Sequence, residues 1–265
     1  MNSQLRSGKQ IRTDVKKTEL IYGFHPVNEA LKAARRQIYK LFLAKDKKAE
    51  RYESLVTTAR ALGIFVEMVN ASQLAHMAGS DAHQGIGAET GPYPFAQLSD
   101  ITDVPEFIAS NPFLLLLDNV LDPHNLGALV RTALCAGVNG VVIPKDRAAA
   151  PTPLVSKTSA GAIEHVRIAR VTNMASTINS LKESGLWIAG MDKSAEKSIF
   201  DSNLSGPTAV VIGGEENGIR PLVKKQCDFL MSIPQIGQFD SLNASVAGAV
   251  VLYETFRQRH VHQQL

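Results

Sequence analysis

The sequence predicts an α/β protein of two domains, and three features of the chain lead there. Short apolar runs alternate with stretches whose apolar residues recur every three to four positions, the pattern of strands joined by crossover helices. Gly91, Pro92 and Pro94 break that alternation, and only weak periodicity around Phe107 and Ile108 follows before Pro112, which places a boundary there. Beyond it the apolar run Phe113 to Leu117 begins a second series of strand and helix patterns of the kind that builds a parallel sheet.

Taken in order, residues 1–18 (MNSQLRSGKQIRTDVKKT) are polar, basic and aperiodic, the composition of a disordered tail that can order against an anionic partner. Residues 19–94 read as a small α/β domain. Strands are predicted at Leu20–Tyr22, Ile38–Leu43, Ile64–Val69 and Gly85–Glu89, with helices from Pro26, over Ala49–Leu62 and over Ser72–Ala78. Residues 95–112 read as a linker with room for a short helix. In residues 113–265 the expected order is strand (Phe113–Leu117), loop (Asp118–His124), helix (Asn125–Ala136) and strand (Gly140–Ile143). Helix and strand pairs follow at 153–168, 173–190 and 208–233. The final helix, Leu242 to Arg259, is apolar on almost every side through Tyr253 and must be buried, deep in one subunit or, the reading preferred here, across a dimer.

Composition narrows the function classes. Among 265 residues, 45% hydrophobic and 20% charged is the balance of a soluble globular protein, and no apolar run approaches a membrane span. The amino terminus lacks the apolar core of a secretion signal, so the cytoplasm is the expected compartment. Cys135 and Cys227, far apart within helical patterns, are expected to be reduced packing residues. Residues 1–60 hold 14 Lys and Arg against 6 Asp and Glu, while the rest of the chain is acidic. Such a skew suits a binder of nucleic-acid phosphates, although a solvated charged surface produces it too.

The chemistry-bearing residues cluster where strand patterns end and helix patterns begin. The apolar run before Gly213 and Gly214 ends in Glu215, Glu216 and Asn217; the run to Ile233 ends in a loop that leads to Ser241, Leu242 and Asn243. Paired glycines there serve either a tight turn or the close approach of backbone to a ligand, and the polar residues beside them favour the ligand. On the helix from Asn125, the residues Leu126, Leu129, Val130, Ala133 and Leu134 form an apolar stripe, and Arg131 lies off it, toward solvent or a ligand. Asn125 suits either a site or a helix cap. Asp118, Asp122 and His124 could hold a metal, but turn and cap hydrogen bonds are the commoner use, and none is expected. The chain has no phosphate-binding G-x-x-x-x-G-K-[ST], no G-x-S-x-G and no H-E-x-x-H, and Gly85-Ile86-Gly87 is not completed as a dinucleotide fingerprint.

The segments NLGALVRTA (125–133), KTSAGA (157–162), GGEENG (213–218) and IPQIGQFDSLNASVA (233–247) closely resemble the motifs of the SpoU family of RNA ribose 2′-O-methyltransferases. IYGFHPVNEAL (21–31) and HQGIGA (83–88) look like the added substrate-binding domain of the branch that methylates a guanosine of 23S ribosomal RNA. The resemblance implies a SPOUT-type, trefoil-knotted parallel-sheet catalytic domain, S-adenosyl-L-methionine as methyl donor, a homodimer, and a ribosomal RNA substrate, with neither membrane nor DNA as partner. By motif position it implies that Asn125, Arg131, Glu215, Ser241 and Asn243 are catalytic, and that Gly213, Ile233 and Leu242 hold the cofactor. Arg131 would stabilise a developing alkoxide or grip a phosphate, Asn125 and Asn243 would orient ribose or cofactor, and Glu215 would hold Arg131 or Asn125. Glu216 stands where the family often has Gly, Gln235 where it often has Met, and Ala244 where it often has Val. A tRNA ribose methyltransferase and a non-catalytic RNA-binding assembly factor are the alternatives.

Overall fold

The structure is a computed structural model that describes residues 18–45, 49–103, 111–236 and 241–261. The basic tail expected at 1–18 therefore lies, but for Thr18, outside the described residues. The chain opens with β1 (Glu19–Tyr22), α1 (Phe24–Ala33), β2 (Ile38–Ala44), α2 (Glu53–Ala61), β3 (Phe65–Val69), α3 (Ala71–Ala78) and β4 (Ile86–Thr90). These four strands form one sheet in the order β1-β4-β2-β3, antiparallel except for β2 with β3. Val27, Ala30 and Leu31 of α1 bury against it, at the spacing expected. The helix expected over Ala49–Leu62 instead starts as a 3-10 turn, Ala49–Tyr52, before α2.

The stretch expected to link the domains, and Tyr93 just before it, are anchored on the second sheet. Tyr93 is buried in the core of the second sheet, Phe95 packs on that core, and Ala96 N–H donates to Ile168 O at 2.9 Å. A short helix, α4 (Ser99–Thr102), buries Ile101 against Gly140, where a side chain would collide with it.

The rest is β5 (Phe113–Asp118), α5 (Pro123–Cys135), β6 (Gly140–Pro144), α6 (Pro153–Thr158), β7 (Ile168–Val171), α7 (Met174–Glu183), β8 (Trp187–Met191), β9 (Thr208–Gly213), α8 (Pro221–Lys224), β10 (Phe229–Met231) and α9 (Ala244–Val261). The six strands are all parallel, in the order β10-β8-β9-β5-β6-β7. β5 is central and buried on both faces. Phe113, Leu115 and Leu117 pack with α5 and α9, whereas Leu114 and Leu116 pack with α7 and α8. Each such side chain contributes about 1.5–3 kcal/mol of burial, which explains a strand without polar alternation.

Local chemistry shifts two helix starts. Asp122 Oδ1 accepts from His124 N–H at 3.0 Å and Pro123 takes the first helical position, so α5 begins before Asn125, which is therefore not the cap. Asn243 caps α9 through Ser245 N–H at 2.9 Å and Val246 N–H at 3.3 Å, so that helix starts after Leu242.

Two expectations about these helices are corrected. Leu134 does not join the buried stripe of α5: at 37% exposure it stands on the outer face. Cys135 is exposed rather than packed. α9, expected to be buried deep in one subunit or across a dimer, is buried within its own chain along Ala244, Gly248, Val251 and Leu252, where Gly248 meets Leu129 of α5. Val246 and Tyr253 on its other side are exposed.

The two sheets meet across a junction that contains ions. Arg36 Nε donates to Glu164 Oε2 at 2.9 Å and Arg36 Nη1 to Glu19 Oε2 at 2.8 Å, and the Arg36 and Glu164 side chains are 0% and 1% exposed. Removing one member leaves an uncompensated buried charge, at about 3–5 kcal/mol. Among the described residues no helix is long and apolar enough to cross a membrane.

The cysteines give a direct check of the packing. Burial pushes the Cys227 thiol up to about 12, and its Sγ–H points to Val223 O, whereas Cys135 faces solvent. A thiol reagent at pH 8 is expected to titrate one cysteine quickly and the second more than about tenfold more slowly. Cys135→Ser is expected to abolish only the fast phase.

Candidate active site

The site is built at the carboxyl ends of β5, β9, β8 and β10, the edge of a parallel sheet where crevices form. Its anchor is Asp118, the last residue of β5, which is fully buried. Asp118 Oδ1 accepts from Arg220 Nε at 2.9 Å and Nη2 at 2.5 Å, and Oδ2 accepts from Arg220 N–H at 2.9 Å. Both carboxylate oxygens are thus committed to one arginine, and Asp122 is committed to its cap. That accounts for the acidic residues considered as metal ligands, and among the described residues no group of three or more His, Cys, Asp or Glu could hold a metal.

This Asp118–Arg220 pair fixes the end of the loop 213–220, and two glycines fix its start. A Cβ on Gly213 would fall 2.0 Å from Gly218 C, and one on Gly214 would fall 2.2 Å from Asn119 O. Gly218 N–H donates to Gly214 O at 2.9 Å, closing the loop on itself. The paired glycines therefore make a tight turn and also present backbone to a cavity; the two readings of the sequence hold together.

Held in this way, Glu215 meets two amides. Asn125 Nδ2 donates to Glu215 Oε1 at 2.9 Å, Asn243 Nδ2 donates to Asn125 Oδ1 at 3.0 Å, and Asn243 Nδ2 also donates to Glu215 Oε1. The cap explains the orientation: Asn243 Oδ1 must face the N–H groups of α9, so its Nδ2 must face the ring. Glu215 thus holds Asn125, and not Arg131. Asn125 is buried, and one of its two amide protons is committed to Glu215.

Beside this ring lies a cavity of about 380 Å³ whose walls include Gly213, Glu215, Ile233, Ser241 and Leu242, with Ile212 and Ala247 behind them. A second cavity of about 100 Å³, lined by Asn119, Asp122 and Asn125, shares Gly214, Glu215, Glu216 and Ala244 with the first. Seven of the eight residues singled out in the sequence are thereby brought together. Arg131 is not: it is exposed on α5, belongs to neither wall, and its guanidinium makes no ion pair or hydrogen bond with another described residue.

Comparison with known proteins matches this architecture. The model of the SpoU rRNA Methylase family matches residues 112–253, and that of RNA 2'-O ribose methyltransferase substrate binding matches residues 20–96. The chain belongs to the SpoU rRNA methylase family. Relatives named 23S rRNA (guanosine-2'-O-)-methyltransferase RlmB are 40% identical in Shewanella oneidensis, over 92% of this chain and 99% of that one, and 39% identical in Escherichia coli K12, over 91% and 99%. The SpoU methyltransferase AviRb from Streptomyces viridochromogenes shares the fold at a TM-score of 0.78 and 24% identity, over 92% of this chain and 91% of that one. So does an AdoMet-bound rRNA methyltransferase from Sinorhizobium meliloti, at 0.76 and 24%, over 91% and 87%.

In this SpoU-family chain the cavity also contains residues that sequence reading passed over. Met191 ends β8 and Asp192, Lys193 and Ser194 follow it, Ser232 follows β10 and Lys224 ends α8. Lys224 Nζ is 2.6 Å from Asp192 Oδ2, which with the Ser194 hydrogen bonds holds that carboxyl below its usual range against the opposing effect of burial. The missing signal is strand order: β8 lies between β9 and β10, which nothing in the sequence around Met191 reveals.

Asn243→Ala removes the cap of α9 together with both bonds to the ring, and is expected to lower stability by about 1–2 kcal/mol in chemical denaturation. Asn243→Ser keeps a cap acceptor but is too short to reach Asn125, and should recover roughly half of that loss.

Proposed function

We propose that this protein transfers a methyl group from S-adenosyl-L-methionine to the ribose 2′-hydroxyl of a guanosine in 23S ribosomal RNA. The observation that carries this reading is the convergence of the loops after β9 and β10 and the start of α9 on one cavity, which shares Glu215 with the Asn125–Glu215–Asn243 ring beside it. The full-length match to relatives named for that activity supports the choice of RNA.

The cavity fits the cofactor in size and lining. Small-ligand sites run to about 300–1,000 Å³ and combine apolar walls with a few polar groups. Here Ile233 and Leu242 supply apolar wall, and the glycine backbone from Gly213 lies where any Cβ would collide with the loop. Those three residues would hold the cofactor. When bound, S-adenosylmethionine supplies a methyl group made electrophilic by its sulfonium.

The chain's own work is to place a sugar hydroxyl and help it lose its proton. Asn125 and Asn243, locked by Glu215, orient the ribose or the cofactor, and Ser241 offers its hydroxyl at the cavity wall. Arg131 acts as a cation: it stabilises the forming alkoxide or grips a neighbouring phosphate. Its place outside both cavity walls of its own chain suits delivery from a second copy. α5 and α9 pack on each other and leave Leu134, Val246 and Tyr253 in solvent, and we take these helices as the face of a homodimer.

The same reading includes the trefoil knot. α9 follows edge strand β10 in the chain yet packs against α5, and the knot would form where the loops after β8, β9 and β10 line one cavity. Residues 19–94 form the RNA-binding domain, 95–112 the linker and 113–265 the catalytic domain, working in the cytoplasm on RNA rather than on DNA or a membrane.

The test is to incubate the protein with labelled methyl donor and unmodified 23S rRNA or tRNA and to map the alkali-resistant linkage. Label at one guanosine of 23S rRNA is expected; label in tRNA alone overturns the substrate, and no label with no calorimetric binding of the donor leaves an RNA-binding factor. Arg131→Ala is expected to lower the rate by about 10²–10³ without changing the melting temperature, since the side chain is exposed. Arg131→Lys should retain part of the rate, and full retention would exclude a positioned guanidinium fork.

A further inference from the structure

The motifs IYGFHPVNEAL, HQGIGA and KTSAGA contribute nothing to the walls of either cavity at the site. They meet one another instead, across the junction of the two sheets. A Cβ on Gly23 would lie 2.6 Å from Lys157 Nζ, and one on Gly161 would lie 2.9 Å from His25 O. Lys157 Nζ donates to Ala82 O at 2.9 Å, and His165 Nε2 is 2.8 Å from Glu29 Oε2. Beneath these contacts Glu164 bridges the domains, with Oε1 accepting from Ser156 Oγ at 2.9 Å and Oε2 from Arg36 Nε at 2.9 Å.

We propose that this junction is a fixed mount in which Glu164 and Arg36 are positioning residues, holding the substrate-binding domain at one angle to the cavity so that RNA is gripped at two points a set distance apart. The proposal rests on the ribose-methylation reading for the identity of the ligand, but not for the docking. Buried ions make the angle specific: any other packed arrangement leaves Glu164 or Arg36 desolvated without its partner, a penalty that an apolar contact, free to slide, does not impose. The path to the site is short and stiff. Ser156 lies on α6, α6 packs on α5 where a Cβ at Gly127 would fall 2.0 Å from Thr158 Oγ1, and α5 presents Asn125. With both grips preset, RNA binding does not have to order the domains, and the second contact follows the first at high effective concentration.

The test uses the full chain with dyes on Met68→Cys and Trp187→Cys, both exposed positions, in a Cys135→Ser background, mixed with excess unlabelled chain so that each dimer carries one dye pair, and single-pair energy transfer. One narrow distance distribution is expected. Glu164→Ala should broaden it and raise KM for 23S rRNA by about tenfold, while kcat and the calorimetric affinity for the methyl donor move by less than about twofold. Should Glu164→Ala fail to fold, Lys157→Ala combined with His165→Ala loosens the rim of the junction and is expected to shift both readouts the same way. A broad distribution in the parent chain, or freed domains with unchanged KM, overturns the proposal. If the parent methylates no RNA, the proposed function fails, and the distance distribution alone still decides the mount.

Discussion

The site depends on one buried charge. A carboxylate at the end of a strand enclosed on both faces needs hydrogen-bond partners, and Asp118 finds three donors on Arg220. Because Arg220 lies just beyond the glycine loop, satisfying Asp118 pulls the loop shut over the carboxyl end of β5. Glu215 is thereby placed within reach of Asn125 on one helix and Asn243 on another. Sheet, loop and both helices are registered to one another through two sets of polar contacts joined by the loop backbone, and the buried members, Asp118 and Asn125, would otherwise be left unpaired.

Around that chain the fold separates rigid from permissive surface. The ring of two amides and a carboxylate fixes its own proton arrangement, since the cap of α9 dictates which way Asn243 faces. The outward side of α5 and α9, by contrast, carries Arg131, Leu134, Val246 and Tyr253 into solvent. A single chain therefore presents an organised cavity and, on a different face, the cation that the proposed chemistry needs. That division is the physical ground for reading the working unit as a dimer. The junction between the sheets shows the same economy of means: ions where orientation matters, and glycines where backbone must come close.

Much of this was legible in the chain. The unalternating run at Phe113–Leu117 reads as a strand covered on both sides, and it is; the paired glycines with polar residues beyond them read as a ligand loop, and they wall a cavity. The error at Leu134 has a plain cause: it is apolar and at helical spacing, yet stands on the outer face. α9 is apolar all round, and one side of it is covered by its own chain. Periodicity reports that a face is apolar, not what covers it. The start of α5 was displaced because the aspartate–proline pair before Asn125 makes a better helix start than the asparagine itself.

The sequence by itself determined the alternation of strands and helices, the family, and the residue types that gather at strand ends, because these are local properties set by side-chain period, turn chemistry and motif spacing. Only the tertiary structure decided which strand ends adjoin, and so brought Met191–Ser194 into the cavity, paired Asp118 with Arg220, and gave Glu215 to Asn125 rather than to Arg131. It also showed that KTSAGA serves the domain junction and not the cavity. Such pairings are made between residues far apart in sequence, by the need of buried polar groups for partners, and that need has no sequence period.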